Sequence, residues 1–273
     1  MALQNKNLNK LNNQELSIQI SLSGLSFCIL NVETKTITFL KEISFDKKLN
    51  PLNLLDALKE QFNNEPALAI AFSKICVIHD NDLSALVPKP LFDEAHLADY
   101  LKFNSKILKS DFITFDELLI NDSVNVFVPY ININNFIYDK FGAFIYKHVS
   151  TVLISEILLI EKNTQSTKVY VNVNKNNFEI IIVSQAKLLL YNTFKYSTPA
   201  DFIYFILFTT EQLKLNPETV NLVLIGDIEK DDDLYNIAYK YIRNISFGSR
   251  EDSYKYDIEP KTQYSNFSLI KSF

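Results

Sequence analysis

Apolar positions along the chain fall into short runs and alternations broken by polar turns, then change to a helical period. LSIQISL (16–22), SFCILNV (26–32) and KTITFLKEISF (35–45) predict three consecutive strands. Their joints, Ser23-Gly24 and Glu33-Thr34, are so short that neighbouring strands must run antiparallel. NPLNLLDALKEQF (50–62) then opens on an Asn cap, carries Pro at the first helical position and continues with helical spacing. LAIAFSKICVIHD (68–80) predicts one or two buried strands ending in a turn at HDND. Strands are expected at SALVP (84–88), FITFDELL (112–119) and VNVFVPYI (124–131), and helices at DEAHLADYLKF (93–103), NNFIYDKFG (134–142) and STVLISEILLIEK (150–162).

The second half repeats that order. VYVNV (169–173), FEIIIVS (178–184) and KLLLYNTFKY (187–196) are again three strands with short turns. TPADFIYFILFTTEQLKL (198–215) is again a helix that opens X-Pro, with an acid in its first turn. VNLVLIG (220–226) and DDLYNIAYKYIRNI (232–245) add a strand and a helix. The last thirty residues read as polar and irregular, with SYKYDIE (253–259) as a candidate edge strand. Aligned, Gln19-Ile20-Ser21 falls on Asn172-Val173-Asn174, Phe27-Cys28-Ile29-Leu30 on Ile180-Ile181-Ile182-Val183, and Lys35 on Lys187. A repeated order of three strands, a helix and further strand–helix pairs predicts a duplicated, mixed α/β architecture.

Composition alters this picture little. The chain has 273 residues, 47% hydrophobic and 22% charged, with a net charge of −5, which gives no reason to expect nucleic acid or an anionic membrane surface. Arg occurs only at Arg243 and Arg250, a poverty that weighs against phosphate or base recognition. Cys28 and Cys76 are isolated in apolar text and suit buried free thiols in a reducing compartment. The polar opening lacks the apolar core of a signal peptide, and no run approaches the roughly 20 residues of a membrane span. A cytoplasmic location is expected.

The duplicated unit resembles the actin-like ATPase superfamily, two ribonuclease-H-like lobes around a cleft. The chain is similar to the PilM-like pilus-assembly and GspL-like secretion proteins. Through LLLYNTFKYSTPADFIYFILFTTEQLKLNPE (188–218) it is more similar still to a bacterial domain family of unknown function. The resemblance covers about residues 15–250. It implies a lead-in at 1–14, which reads as disordered, an N-terminal lobe at 15–165 and a C-terminal lobe at 166–273. In active members each first hairpin carries an acid and a glycine-containing turn that approaches phosphate and positions Mg²⁺. Carried onto this sequence, the acid positions are Gln19 and Asn172, the turn positions are Ser21 and Asn174, and the adenosine-loop Gly pair is Gly226-Asp227. An amide brings no negative charge to a metal, and a Cβ obstructs the approach of backbone to phosphate. Four glycines, at 24, 142, 226 and 248, are too few for a full set of phosphate loops.

Other constellations carry less. FDEAH (92–96) spells a helicase box, but no phosphate loop accompanies it, so a helix opening with acids is expected. Cys76 and His79 have a metal-like spacing, yet in a strand they point to opposite faces. The carboxylates of IEKDDD (228–233) read as caps and first-turn acids. A ribonuclease-H-type nuclease would need acids where Gln19 and Asn172 stand. The expectation is an actin-like protein without catalytic, metal or cofactor residues, serving as a protein-binding adaptor or assembly scaffold. The alternative is a nucleotide-binding switch or weak ATPase. The partner is expected to be a protein, with no nucleic acid and no membrane insertion, and a homodimer stays open. Tyr235, Tyr239 and Ile242, at spacings of four and three on one helix, are the candidate binding face.

Overall fold

The structure, a computed structural model, describes residues 13–103 and 105–273; most of the expected lead-in at 1–14 lies outside the described residues. Strands β1 (Gln14–Ser21), β2 (Gly24–Asn31) and β3 (Thr36–Ser44) form an antiparallel meander. Helix α1 (Pro51–Asn64) follows, with Asn50 accepting from the Leu52 and Asn53 N–H groups. A cap of this kind contributes about 1 kcal/mol. α1 buries Leu54, Leu58 and Phe62, spaced at i, i+4 and i+8. Strand β4 (Lys74–Asp80) then lies parallel to β1. Residues 68–73, expected to be strand, are not: a short 3-10 turn at Pro66–Leu68 precedes β4.

An inserted segment carries β5 (Ser84–Pro88), α2 (Leu97–Leu101), β6 (Thr114–Leu118) and β7 (Ser123–Phe127), which build a separate antiparallel sheet ordered β5-β7-β6. The helix expected over 93–103 shortens to α2 after a 3-10 turn at Glu94–His96. The chain returns through α3 (Ile131–Phe141) to β8 (Ile145–His148), parallel to β4, and α4 (Val149–Ile160) carries it onward.

The second half builds β9 (Lys168–Val173), β10 (Asn177–Ser184), β11 (Lys187–Lys195), α5 (Pro199–Gln212), β12 (Asn221–Gly226), α6 (Asp233–Tyr241) and β13 (Asn244–Phe247). Its sheet is ordered β11-β10-β9-β12-β13, and the first sheet runs β3-β2-β1-β4-β8 over the equivalent strands. Both have antiparallel meanders followed by two parallel strands. The two meanders read as equivalents are therefore equivalents, each opening one sheet.

Each sheet has its own helix-covered core, Leu16, Ile18, Leu58 and Ile133 in one and Val169, Val171, Phe202 and Ile206 in the other. A third core lies between them. α4 is apolar nearly all round because it is packed on both sides, Leu153, Ile154 and Ile157 meeting Cys76 and Ile78 of β4 together with Tyr170, Ile181 and Ile225 of the second sheet.

The chain's last stretch returns to the first sheet. β14 (Lys255–Tyr256), inside the expected edge strand, pairs with β3, and α7 (Phe267–Ile270) packs on β1, β2 and α4. The irregular tail expected from the sequence is thus partly a packed element, with Phe267, Leu269 and Ile270 buried. Buried Arg250 staples it: the guanidinium donates to Asp252 at 2.9 Å, to the Thr262 carbonyl at 2.9 Å and to the Ser265 carbonyl at 2.5 Å. Among the described residues no helix is long and apolar enough to cross a membrane.

Candidate functional site

The β1–β2 and β9–β10 hairpins end at corresponding places. Ser21 faces Gly24 across the turn Leu22-Ser23. Asn174 donates its N–H to the Asn177 carbonyl at 2.9 Å across Lys175-Asn176. Gln19 faces Ser26 and Asn172 faces Glu179, each three residues before its turn. Neither turn needs a positive φ; Gly24, which closes the first, is held to glycine by close approach, since a Cβ there would stand 2.5 Å from the Ile43 carbonyl oxygen. The hydroxyl of Ser21 instead accepts from the Ser23 N–H at 3.2 Å and donates to the Gly24 carbonyl at 3.2 Å.

Tertiary structure brings to these amides two carboxylates that the sequence reading did not single out. Gln19 Nε2 donates to Asp80 Oδ2 at 3.1 Å, and Gln19 Oε1 accepts from the Ser268 hydroxyl at 2.7 Å. Glu179, 1% exposed, accepts from the Nδ2 groups of Asn172 (2.8 Å), Asn174 (3.0 Å) and Asn177 (3.2 Å). Burial raises the pKa of both acids well above the carboxylate range. The charge of Asp80 pushes Glu179 further the same way, while the amides pull against it. A signal for Glu179 existed, since a lone acid in the apolar strand text FEIIIV is a buried charge needing partners. Asp80 had none, because HDND reads as a turn.

The linkage has a definite sign. The folded chain holds a proton on Glu179 that the unfolded chain releases, so stability falls as pH rises from roughly 4–5 through neutrality. Each unit by which the pKa is raised takes away about 1.4 kcal/mol. Glu179→Gln is expected to melt several degrees above the parent at pH 8.5, the gap closing by pH 5. Calorimetric melts across that range test it, and a gap independent of pH would defeat the argument.

The Gly226 loop is closed by the chain itself. Gly226, at φ +87°, donates its N–H to the Tyr264 carbonyl at 3.0 Å, and Asp227 donates to the Val173 carbonyl at 2.8 Å. Lys261, Ser265, Asn266, Phe267 and Ser268 join Gln19, Asn172 and Gly226 around a cavity of about 90 Å³. Small-molecule sites usually offer roughly 300–1,000 Å³. Further cross-links tie the halves together: Asn266 Nδ2 to Glu42 at 3.0 Å, Lys175 Nζ to the Phe45 carbonyl at 3.2 Å, and the Lys195–Asp82 ion pair.

A Mg²⁺–nucleotide does not fit these residues. Gln19 and Asn172 bring no charge, the raised pKa of Glu179 favours its neutral acid, and the two loop N–H groups already have carbonyl partners. Among the described residues no three His, Cys, Asp or Glu side chains gather to hold a metal.

The other sequence candidates take structural places. Cys76 packs against α4, whereas His79 Nε2 lies 2.9 Å from Asn134 on the opposite face. Asp93 caps its 3-10 turn by accepting from the Ala95 N–H at 3.0 Å. Asp232 Oδ2 accepts from the Glu229 N–H within the acidic loop. The Tyr235–Tyr239–Ile242 face is split. Ile242 lies beyond α6 in the core, Tyr235 stacks on Phe247, and Tyr239 stays 67% exposed. α6 ends at Tyr241 and the chain re-enters the sheet as β13, which rotates Ile242 inward.

This architecture matches that of a protein with actin-like ATPase fold and unknown function from Bacteroides thetaiotaomicron. The two are 23% identical, with 97% of each chain covered and a TM-score of 0.82. The PilM–PilN type IV pilus biogenesis complex holds a chain that is 12% identical, covering 89% of this chain and 90% of that one at a TM-score of 0.57. The fold is the actin-like ATPase fold. No curated protein matches in sequence. The family model described as "Protein of unknown function (DUF3822)" matches residues 3–245.

Proposed function

We propose that this chain, which belongs to the DUF3822 family, is a non-catalytic protein of actin-like fold that works by binding another protein, as an adaptor or assembly scaffold. One observation carries the reading: the segment Tyr264–Ser268 and the amide-locked Glu179 occupy the polar groups that a nucleotide would have to engage. Opening the site would break the contacts of Gln19, Gly226 and Phe267 together, and Phe267 belongs to the core between the sheets. The similarity to PilM, which is seen in complex with PilN, supports an assembly role by analogy of fold.

The second reading is a nucleotide-binding switch, and Asp80 with Glu179 is what favours it, since they are acids standing beside both hairpins. It requires the buried Glu179 to ionise beside Asp80 and the C-terminal segment to leave. Titration calorimetry with Mg-ATP separates the two. No saturable heat is expected up to millimolar nucleotide, and micromolar binding would replace the scaffold reading with the switch. For the scaffold itself, the tagged protein purified from its own cell after cross-linking is expected to bring down one protein in stoichiometric amount. Recovery of the chain alone would defeat the proposal.

A further inference from the structure

A groove of about 880 Å³ runs between the inserted sheet and the second sheet, its walls including Ser84 and Leu86 of β5, Phe103, and Thr193 and Lys195 of β11. Two strand edges border it, since among the described residues β11 is hydrogen-bonded only to β10 and β5 only to β7. The phase of each ladder identifies which main-chain groups are open. The Tyr196 N–H bonds to the Asn176 carbonyl, so Phe194 and Asn192 bond inward, and Tyr191, Thr193 and Lys195 turn their N–H and C=O groups to the groove. The Val128 N–H bonds to the Leu83 carbonyl, so Ser84 and Leu86 turn theirs outward from the opposite wall. The Thr193 N–H is met by its neighbour's Asn192 Oδ1 at 2.9 Å, a local stand-in for a missing strand.

The side chains add chemistry to this edge. Phe205 stacks on Phe194 at 4.8 Å and continues an aromatic ledge to Tyr204 (5.3 Å) and on to Phe208 (6.0 Å from Tyr204), of which Tyr204 and Phe208 are exposed. Phe103, on the other side, is 83% exposed. β11 reads KLLLYNTFK, with a lysine at each end and no acid, and Lys195 already donates to a carboxylate, that of Asp82.

We infer that β11 takes an extended segment of a partner protein as an added strand, its centre apolar against the aromatic ledge and its ends acidic against Lys187 and Lys195. This deepens the protein-binding reading and rests on it. Main-chain bonds would give affinity, and the ledge and lysines would select the sequence. A second copy of this chain is the poorer occupant. An antiparallel β11–β11 pair centred on Tyr191 sets Lys187 directly opposite Lys195 twice, and like charges so placed repel.

The test is selection of a displayed random twelve-residue peptide library on the whole protein, with affinities then measured by fluorescence anisotropy. The expected winners alternate apolar residues between acidic ends. Thr193→Pro deletes an outward N–H without removing a ladder bond, as an edge strand tolerates, and should weaken them at least tenfold. Lys187→Glu should weaken them several-fold and guards against misfolding of the proline variant, with melting curves of both compared with the parent. No enrichment, or winners indifferent to both substitutions, overturns the inference. So does self-association by sedimentation that Thr193→Pro abolishes, because the edge would then belong to a second copy. A native partner that co-purifies equally with Thr193→Pro would leave the protein-binding reading intact and remove only this surface.

Discussion

Acidification from pH 6.5 towards 3 is expected to destabilise the protein, chiefly through two buried imidazoles. His79 and His148 are register partners on β4 and β8, both fully buried. In each ring Nδ1 faces a main-chain donor, the Tyr130 N–H at 3.2 Å for His79 and the Ser150 N–H at 3.2 Å for His148. Each Nε2 then donates, to Asn134 Oδ1 at 2.9 Å and to the Asn81 carbonyl at 3.1 Å. A proton on His79 Nδ1 would point at an N–H; one on His148 Nδ1, which also lies 2.7 Å from the Ser150 hydroxyl, would sit at the N-terminus of α4. Burial, the leading cause, takes His79 down to about 4 and His148 to about 3.

Because the unfolded chain binds these protons first, stability is present above the ordinary histidine pKa and is lost as pH falls through the depressed values. At about 1.4 kcal/mol per unit, the two amount to roughly 3 and 5 kcal/mol, comparable to the whole stability of many domains. The carboxyl pair works in the opposite direction over the same interval and offsets much of that loss. The most stable pH should therefore lie between about 5 and 7, with net destabilisation setting in as pH falls towards the depressed histidine values. Circular dichroism against pH gives the midpoint. NMR of the imidazole protons gives the cause: both rings should stay neutral until the chain unfolds. A titration of either near 6.5 in the folded protein would sink the argument.

Gly226→Ala is expected to cost on the order of 3 kcal/mol or more. At φ +87° a Cβ is strained, which alone costs about 1–2 kcal/mol. The added carbon would also stand 2.4 Å from the Val173 carbonyl oxygen and 2.8 Å from Asn172 Oδ1, so β9 or the loop must shift. Gly142→Ala is the matched control, with φ +81° and nothing within 4 Å of the new carbon. It should show the conformational cost only. Thermal melts are expected to separate the two by several degrees, at about 2–4 °C per kcal/mol for chains near this size. Equal losses would mean that the close approach at Gly226 matters little.

The sequence by itself determined the meanders, the X-Pro helix starts and the duplication. Each depends on local periodicity, turn length and capping, which residues such as Asn50, Pro51, Thr198 and Pro199 display within a few positions. It missed β8 and β13, whose four residues are too few for a period and exist because β4 and β12 offer them an edge. It also placed Gln19 and Asn172 at corresponding positions of the two first hairpins and Gly226 at the end of a late strand, and their altered chemistry was legible as residue type.

What those residues touch was decided only by tertiary structure. Ser268 meets Gln19 across 249 positions, and Tyr264 closes on Gly226 only because the buried Arg250 guanidinium gathers the Thr262 and Ser265 carbonyls beneath the returning chain. The charge of Asp80 perturbs Glu179 although the two lie on different sheets. Contacts at such separation leave no periodic trace, since they are set by how two finished sheets pack around α4 and not by any local preference of the chain.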